Sequence, residues 1–293
     1  MKLTTLADKA LLVKLTVRKA NLTRRDTTAE VFVQTQLDDA SLVVNRKLFR
    51  DKLNPINKLM ADASEVYTYH KANTLGYIDK GPRILANEAY FDYTTKMREL
   101  IGNVDAKLNE LMPNYDKFVQ LDMMFRSQGR NSANVSVADY PTAEEFRDRM
   151  GFELRFQPLP EARHFLFDIS DADMEVFNQT MADVASSARS EVIKKMLEPL
   201  QHLVEKLNKP IGTDNSIFRD SAVENVIEGL EMAKKLNVGG DEDIVMMADM
   251  ISQAMRPYAD NKAVLRESPI VREQAAKKLD EIAKQMGAIY GTP

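Results

Sequence analysis

Long amphipathic stretches that begin with helix-capping residues are the feature that most constrains this fold. The clearest starts at Ser170, where Asp171 and Asp173 follow, and continues to about Leu207. Serine accepts a hydrogen bond from a free amide of the first turn, and the helix dipole favours early carboxylates. Later helices are predicted over residues 217–236, 241–256 and 269–290. The chain is therefore expected to be mainly helical.

The N-terminal half carries the same kind of signal. Thr27 and Glu30 have capping-box spacing, which predicts a short helix from Thr27. Residues 41–72 predict two helices that meet at Pro55, and residues 88–126 predict a long helix broken near Pro113. Because a single loop separates these two long stretches, we expect them to run antiparallel.

Two segments alternate apolar and polar side chains and predict strands. Residues 10–18 form the first, and residues 152–169 read as a β-hairpin. The predicted fold class is thus α+β and predominantly α-helical, with long antiparallel helices and a small antiparallel sheet. The polar, Asn- and Ser-rich residues 127–141 predict a boundary between domains 1–130 and 140–293, and a single elongated domain is the alternative.

The residues needed for catalysis are scarce. The chain has no cysteine and three scattered histidines. No nucleophile elbow, phosphate loop or dinucleotide fingerprint occurs. The acidic clusters at residues 168–173 and 241–243 stand at predicted helix starts, where capping explains them. We therefore predict no catalytic residue, no metal site and no cofactor, and hence a protein that is not an enzyme.

One cluster suggests a ligand. Residues 14–25 contain five basic and no acidic side chains, although the whole chain has a net charge of −4. Basic side chains bind phosphate groups, so we hypothesise that this cluster binds nucleic acid. A solvated turn is the alternative. The five are Lys14, Arg18, Lys19, Arg24 and Arg25.

The loop at residues 73–87 places charged residues among apolar ones. Asp79, Gly81 and Arg83 lie in it between leucines, isoleucines and a tyrosine. Two readings stay open. The charges form an internal ion pair that holds a tight turn, or the loop docks a partner.

Blocks spread over most of the chain follow an order typical of one family. They are Tyr69-His70, Thr74-Leu75, Asp79, Gly81, Arg83-Ile84-Leu85, Tyr90-Phe91, Tyr93, Met97, residues 140–146, residues 152–160, Phe218-Arg219-Asp220-Ser221 and Glu224-Asn225. In this order they resemble a family of uncharacterised proteins encoded by bacteriophages and mobile elements. The resemblance implies that the gene for this protein lies near genes for phage DNA replication and recombination, or near the gene for a MoxR-type AAA+ ATPase. It implies no activity.

Three functions are expected from these observations. The leading one is a non-enzymatic, homo-oligomeric phage accessory or adaptor protein that works through protein–protein contacts, in phage DNA metabolism or with an AAA+ ATPase. The alternatives are a single-stranded DNA-binding or annealing protein and an antagonist of a host defence protein. No signal peptide and no membrane-spanning stretch are predicted, so we expect the host cytoplasm.

Overall fold

The fold is α+β and mostly helical, as predicted. The computed structural model describes residues 6–78, 81–127, 135–160, 170–209, 219–259 and 261–290. The helices in these ranges are α1 (Leu6–Lys9), α2 (Thr27–Leu37), α3 (Pro55–Ala72), α4 (Tyr90–Leu111), α5 (Tyr115–Ser127), α6 (Ala143–Asp148), α7 (Asp171–Leu207), α8 (Ser221–Leu236), α9 (Glu242–Ala259), α10 (Ala263–Glu267) and α11 (Pro269–Tyr290). None of these described helices combines the length and the apolar character that crossing a bilayer requires.

Two small sheets accompany the helices. The strands are β1 (Ala10–Arg18), β2 (Thr23–Arg25), β3 (Asn45–Lys47), β4 (Leu75–Gly76), β5 (Arg83–Ala86) and β6 (Gly151–Pro158). One sheet has the order β4-β5-β1-β6, and β2 pairs with β3 in the other. The predicted strand at residues 10–18 is confirmed, and β6 is the first arm of the predicted hairpin. The second arm falls within residues 161–169, which lie outside the described residues.

Contacts divide the chain into two units, each built from separate segments. Unit 1 contains Met1–Lys14, Ala72–Phe91 and Arg155–Pro293, and unit 2 contains Leu15–Lys71 and Asp92–Leu154. This grouping does not follow a single cut along the chain. The predicted boundary near residues 130–140 stays a prediction, because residues 128–134 lie outside the described part.

Unit 1 has a core of packed helices with a sheet at one side. Its buried apolar side chains come from α7, α8, α9 and α11, together with β1, β4 and β5. Ser170 caps α7 through Oγ, which accepts from the amide of Asp173 at 3.1 Å. The predicted start of the last helix at Pro269 is also confirmed. The capped helices are thus where the sequence placed them.

Unit 2 buries apolar side chains of α3, α4, α5 and α6 around several aromatic rings. Phe49 packs edge-on against Tyr115 and Tyr140, with ring centroids 5.9 and 5.2 Å apart. Tyr115 also contacts Phe146 of α6. Offset and edge-on rings add to the stability that burial provides. These rings surround the polar network described below.

Three sequence-based predictions for local structure are wrong. The cap of α2 is Asp26, whose carboxylate accepts from the amide of Ala29 at 3.0 Å, and not Thr27. Residues 41–54 are not helical, because β3 lies within them and pairs with β2. The loop at residues 73–87 contains β4 and β5, because β5 pairs antiparallel with β1. Strand pairing over long sequence separations accounts for the last two differences.

Candidate interaction surfaces

The residues of the predicted basic cluster belong to both units. Lys14 belongs to unit 1, and the other four residues belong to unit 2. The guanidinium of Arg18 lies against Gly151, where a Cβ would come within 2.9 Å of Nη2. Lys19 donates from Nζ to the hydroxyl of Ser64 at 2.8 Å. Arg18 and Lys19 therefore contact different residues of unit 2.

Arg25 is committed to an ion pair within unit 2. Its Nε lies 2.8 Å from Oε2 of Glu30, and its Nη2 lies 2.5 Å from Oε1. The hydrogen bond from Arg25 holds the pKa of Glu30 below its ordinary value. Glu30 is the only buried residue of α2. This bidentate pair connects α2 to β2, so the role of Arg25 is structural.

Arg24 instead joins basic residues that the sequence analysis missed. The pairing of β2 with β3 places Arg24 opposite Arg46. Burial lowers the pKa of Arg46, and the neighbouring charges of Arg126 and Arg50 lower it further. We call Arg24, Arg46 and Arg50 the arginine cluster. Arg46 and Arg50 form a second basic run in the sequence, but only the strand pairing brings that run to Arg24.

A buried carboxylate organises the backbone beside this cluster. Asp122 of α5 is fully buried and accepts from the amides of Phe49 at 2.9 Å and Arg50 at 2.6 Å. Its Oδ2 also accepts from the Tyr140 hydroxyl at 2.5 Å and from Arg126 Nε at 2.8 Å. Burial raises the pKa of Asp122, but these hydrogen bonds and the Arg126 charge outweigh it, so the pKa lies below its ordinary value. The carboxylate is therefore a structural anchor.

The helix that carries Asp122 also has an uncovered apolar stripe. Phe118, Leu121 and Phe125 lie at i, i+3 and i+7, which places them along one side of α5. Leu121 is 54% exposed and Phe125 is 46% exposed, while Phe118 is half-buried. The fold of unit 2 covers only the adjacent side, from Tyr115 to Arg126.

A second exposed apolar surface lies on α2. Val31 and Phe32 are adjacent on this helix and are 62% and 66% exposed. No apolar residue of α2 is buried. A helix of this composition normally buries a stripe against a core. The side chains of Val31 and Phe32 are therefore available to another molecule.

The predicted loop residues have distinct positions in unit 1. Arg83 donates from Nε to the Thr74 hydroxyl at 2.7 Å and from Nη2 to Glu191 Oε1 at 2.7 Å. The other oxygen of Glu191 accepts from the amide of Gly76 at 2.6 Å. The arginine thus holds β4 and β5 to α7. Asp79 lies outside the described residues, and a Cβ at Gly81 would meet open space.

The polar residues that suggest metal or acid–base chemistry are engaged internally. His70 is buried, and its Nδ1 lies 2.6 Å from the Tyr93 hydroxyl. Arg189 pairs with the carboxylates of Asp241 and Asp243. Asp241 Oδ1 also accepts from the Asp243 amide at 2.9 Å, which is the capping role expected for this cluster. Among the described residues, no three histidine or acidic side chains come close enough to hold a metal ion.

No protein-family model, curated protein or solved structure matches the chain. The functional proposals below therefore rest on the surfaces of unit 2. They comprise two apolar helix surfaces and one arginine cluster.

Proposed function

We propose that the protein is a non-enzymatic, homo-oligomeric accessory or adaptor protein that acts through protein–protein contacts. The observation that supports this most directly is the apolar stripe on α5. Full burial of a leucine or phenylalanine side chain contributes about 1.5–3 kcal/mol. Leu121 and Phe125 forgo about half of that contribution in the isolated chain. A second molecule that covers them would recover it.

A second copy of the chain is the occupant we propose for the α5 stripe. In a two-fold dimer the same patch serves both subunits, so a stripe that is complementary to itself is sufficient. Side chains at i, i+3 and i+7 form the ridge that antiparallel or crossed helices use to pack. Phe118, Leu121 and Phe125 provide this spacing over two turns.

An adaptor needs a further surface for its partner, and α2 offers one. Val31 and Phe32 lie on a different helix from the α5 stripe, so a dimer through α5 does not by itself occupy them. The family resemblance suggests an AAA+ ATPase or another phage or host protein as the partner. We propose that this protein docks on α2.

Light scattering coupled to size-exclusion chromatography tests the oligomer. We expect the wild-type chain to have at least twice the monomer mass of 33.2 kDa at micromolar concentration. The double variant Leu121→Gln, Phe125→Gln should be monomeric with an unchanged far-ultraviolet circular dichroism spectrum. Val176→Thr, which alters an exposed apolar residue of α7, should leave the mass unchanged. A monomeric wild-type chain at high micromolar concentration contradicts the proposal.

The α2 surface is tested with a separate variant. Val31→Thr with Phe32→Gln should retain the wild-type mass but lose capture of a partner from infected-cell lysate. The partner is then identified by mass spectrometry and its binding remeasured with purified protein. If the double variant captures the same partner with equal affinity, α2 is not the docking surface.

A further inference from the structure

Two arginines lie on one face of the two-stranded β2–β3 ribbon, and a third, Arg50, follows β3. Residues directly opposite each other in an antiparallel pair share a face, so Arg24 and Arg46 lie on the same side. Arg50 follows β3, and its positive charge contributes to lowering the pKa of Arg46. Lys47 pairs opposite Thr23 and, by the alternation of strand residues, lies on the other face.

The carboxylates around this face are already occupied. Asp26 binds the Ala29 amide and pairs with Arg46. Asp139 Oδ2 accepts from the Ser136 amide at 2.8 Å. Arg24 donates from Nε to the backbone carbonyl of Asp139, at 2.8 Å, and not to its carboxylate. Within the described part of the chain, Arg24 and Arg50 form no ion pair.

Two hydrogen bonds hold the backbone that carries Arg46 and Arg50. The amide of Arg50 lies 2.6 Å from Asp122 Oδ1, and Arg126 Nη2 donates to the carbonyl of Lys47 at 2.5 Å. Like charges opposite each other in a strand pair are destabilising. Arg46 is paired with Asp26, so Arg24 and Arg50 carry the charges that an anion would stabilise.

We propose that the arginine cluster is a phosphate-binding site and that it binds the phosphodiester groups of a nucleic acid. This activity is additional to the protein contacts proposed above. Planar guanidinium groups bind phosphate oxygens through paired hydrogen bonds. Arg24 and Arg50 are exposed, whereas Arg46 is partly buried and pairs with Asp26. An open ribbon of this kind suits a polymer backbone.

Fluorescence anisotropy with a labelled single-stranded oligodeoxythymidylate of about 20–30 nucleotides tests the site. Binding should weaken with salt, with a slope of log K against log salt of about −1.4 for two neutralised phosphates. Arg24→Gln with Arg50→Gln should reduce the affinity at least about tenfold and bring the slope close to zero. Lys47→Gln, on the opposite face of the same ribbon, is the matched control and should change the affinity less than about twofold.

Calorimetry with inorganic phosphate identifies the source of the phosphate group. If phosphate binds and the oligonucleotide does not, and the double arginine variant loses that binding, the site takes a free phosphoryl group and the nucleic-acid assignment fails. The proposal is overturned if neither probe binds at low salt, or if the Lys47 variant loses as much affinity as the arginine variant. Both arginines are exposed, so light scattering and circular dichroism should show an unchanged mass and fold. The phosphate-binding proposal can therefore fail while the proposal of an oligomer holds, because mass and binding are measured separately.

Discussion

The carboxylate of Asp122 and the guanidinium of Arg126 lie one helical turn apart on α5, with Oδ2 2.8 Å from Nε. Both side chains are buried. Such a pair is stable only if its remaining hydrogen-bonding groups are satisfied. Here the backbone of residues 47–50 and the Tyr140 hydroxyl satisfy them. The pair therefore connects α5 to the segment that carries the arginine cluster.

Asp122→Ala should lower the free energy of unfolding by about 3–5 kcal/mol, since it leaves Arg126 buried without its counter-charge. Chemical denaturation followed by circular dichroism measures this. The exposed Asp116 of the same helix provides the control, and Asp116→Ala should have little effect. An equal loss in both variants would show that the buried pair has no special role.

The stability that Asp122 provides should depend on pH. Its folded-state pKa lies below the ordinary value of 3.8, so the contribution is fully present above that value. It is lost as the pH falls through the folded-state pKa. The difference in unfolding free energy between wild type and Asp122→Asn should thus be constant near neutral pH and shrink in acid. A difference that grows in acid would contradict the assigned charge state.

Two buried tyrosines should respond in opposite ways to loss of their hydroxyl groups. Tyr140→Phe removes a hydrogen bond to a charged carboxylate and should cost about 1.5–3 kcal/mol. The Tyr115 hydroxyl is buried and has no hydrogen-bond partner among the described residues, so Tyr115→Phe should stabilise the protein by about 1 kcal/mol. Thermal and urea unfolding of the two variants give the comparison. Destabilisation by Tyr115→Phe would mean that this hydroxyl has a partner.

The ion pair between Arg83 and Glu191 should stabilise unit 1. Glu191→Gln removes the charge that faces Arg83 and weakens the bond to the Gly76 amide, for an expected loss of about 1–3 kcal/mol. Glu273→Gln alters an exposed pair with Lys277 and should leave stability unchanged. Hydrogen exchange at the β4 and β5 amides locates the effect. If those amides are not deprotected in Glu191→Gln, the pair does not hold the strands.

Local signals predicted the helices well. Ser170 marks a helix start that the structure confirms, and Pro113 lies at the break between α4 and α5. These signals succeed because each cap satisfies amides within three residues of itself. The cap of α2 was misplaced by one residue because Glu30, the expected capping-box partner, binds Arg25 instead.

Long-range pairing was not predictable in the same way. The strands β3, β4 and β5 are two to four residues long, too short for alternation to identify them. β3 pairs with β2, and β5 pairs with β1, across 20 to 76 residues of sequence, as the pairs Arg24–Arg46 and Leu12–Ile84 show. The arginine cluster depends on one such pairing, so only one of its members was among the five basic residues first identified.

The amino-acid order by itself determined that the chain is mostly helical, where most helices begin, and that one strand spans residues 10–18, because periodicity and capping act over a few residues. Only the tertiary structure decided which side chains remain uncovered and which charges meet. Leu121 and Phe125 have the spacing of core residues yet lie outside the core. Burial and charge proximity depend on the packing of distant segments, and that information is not contained in any local pattern.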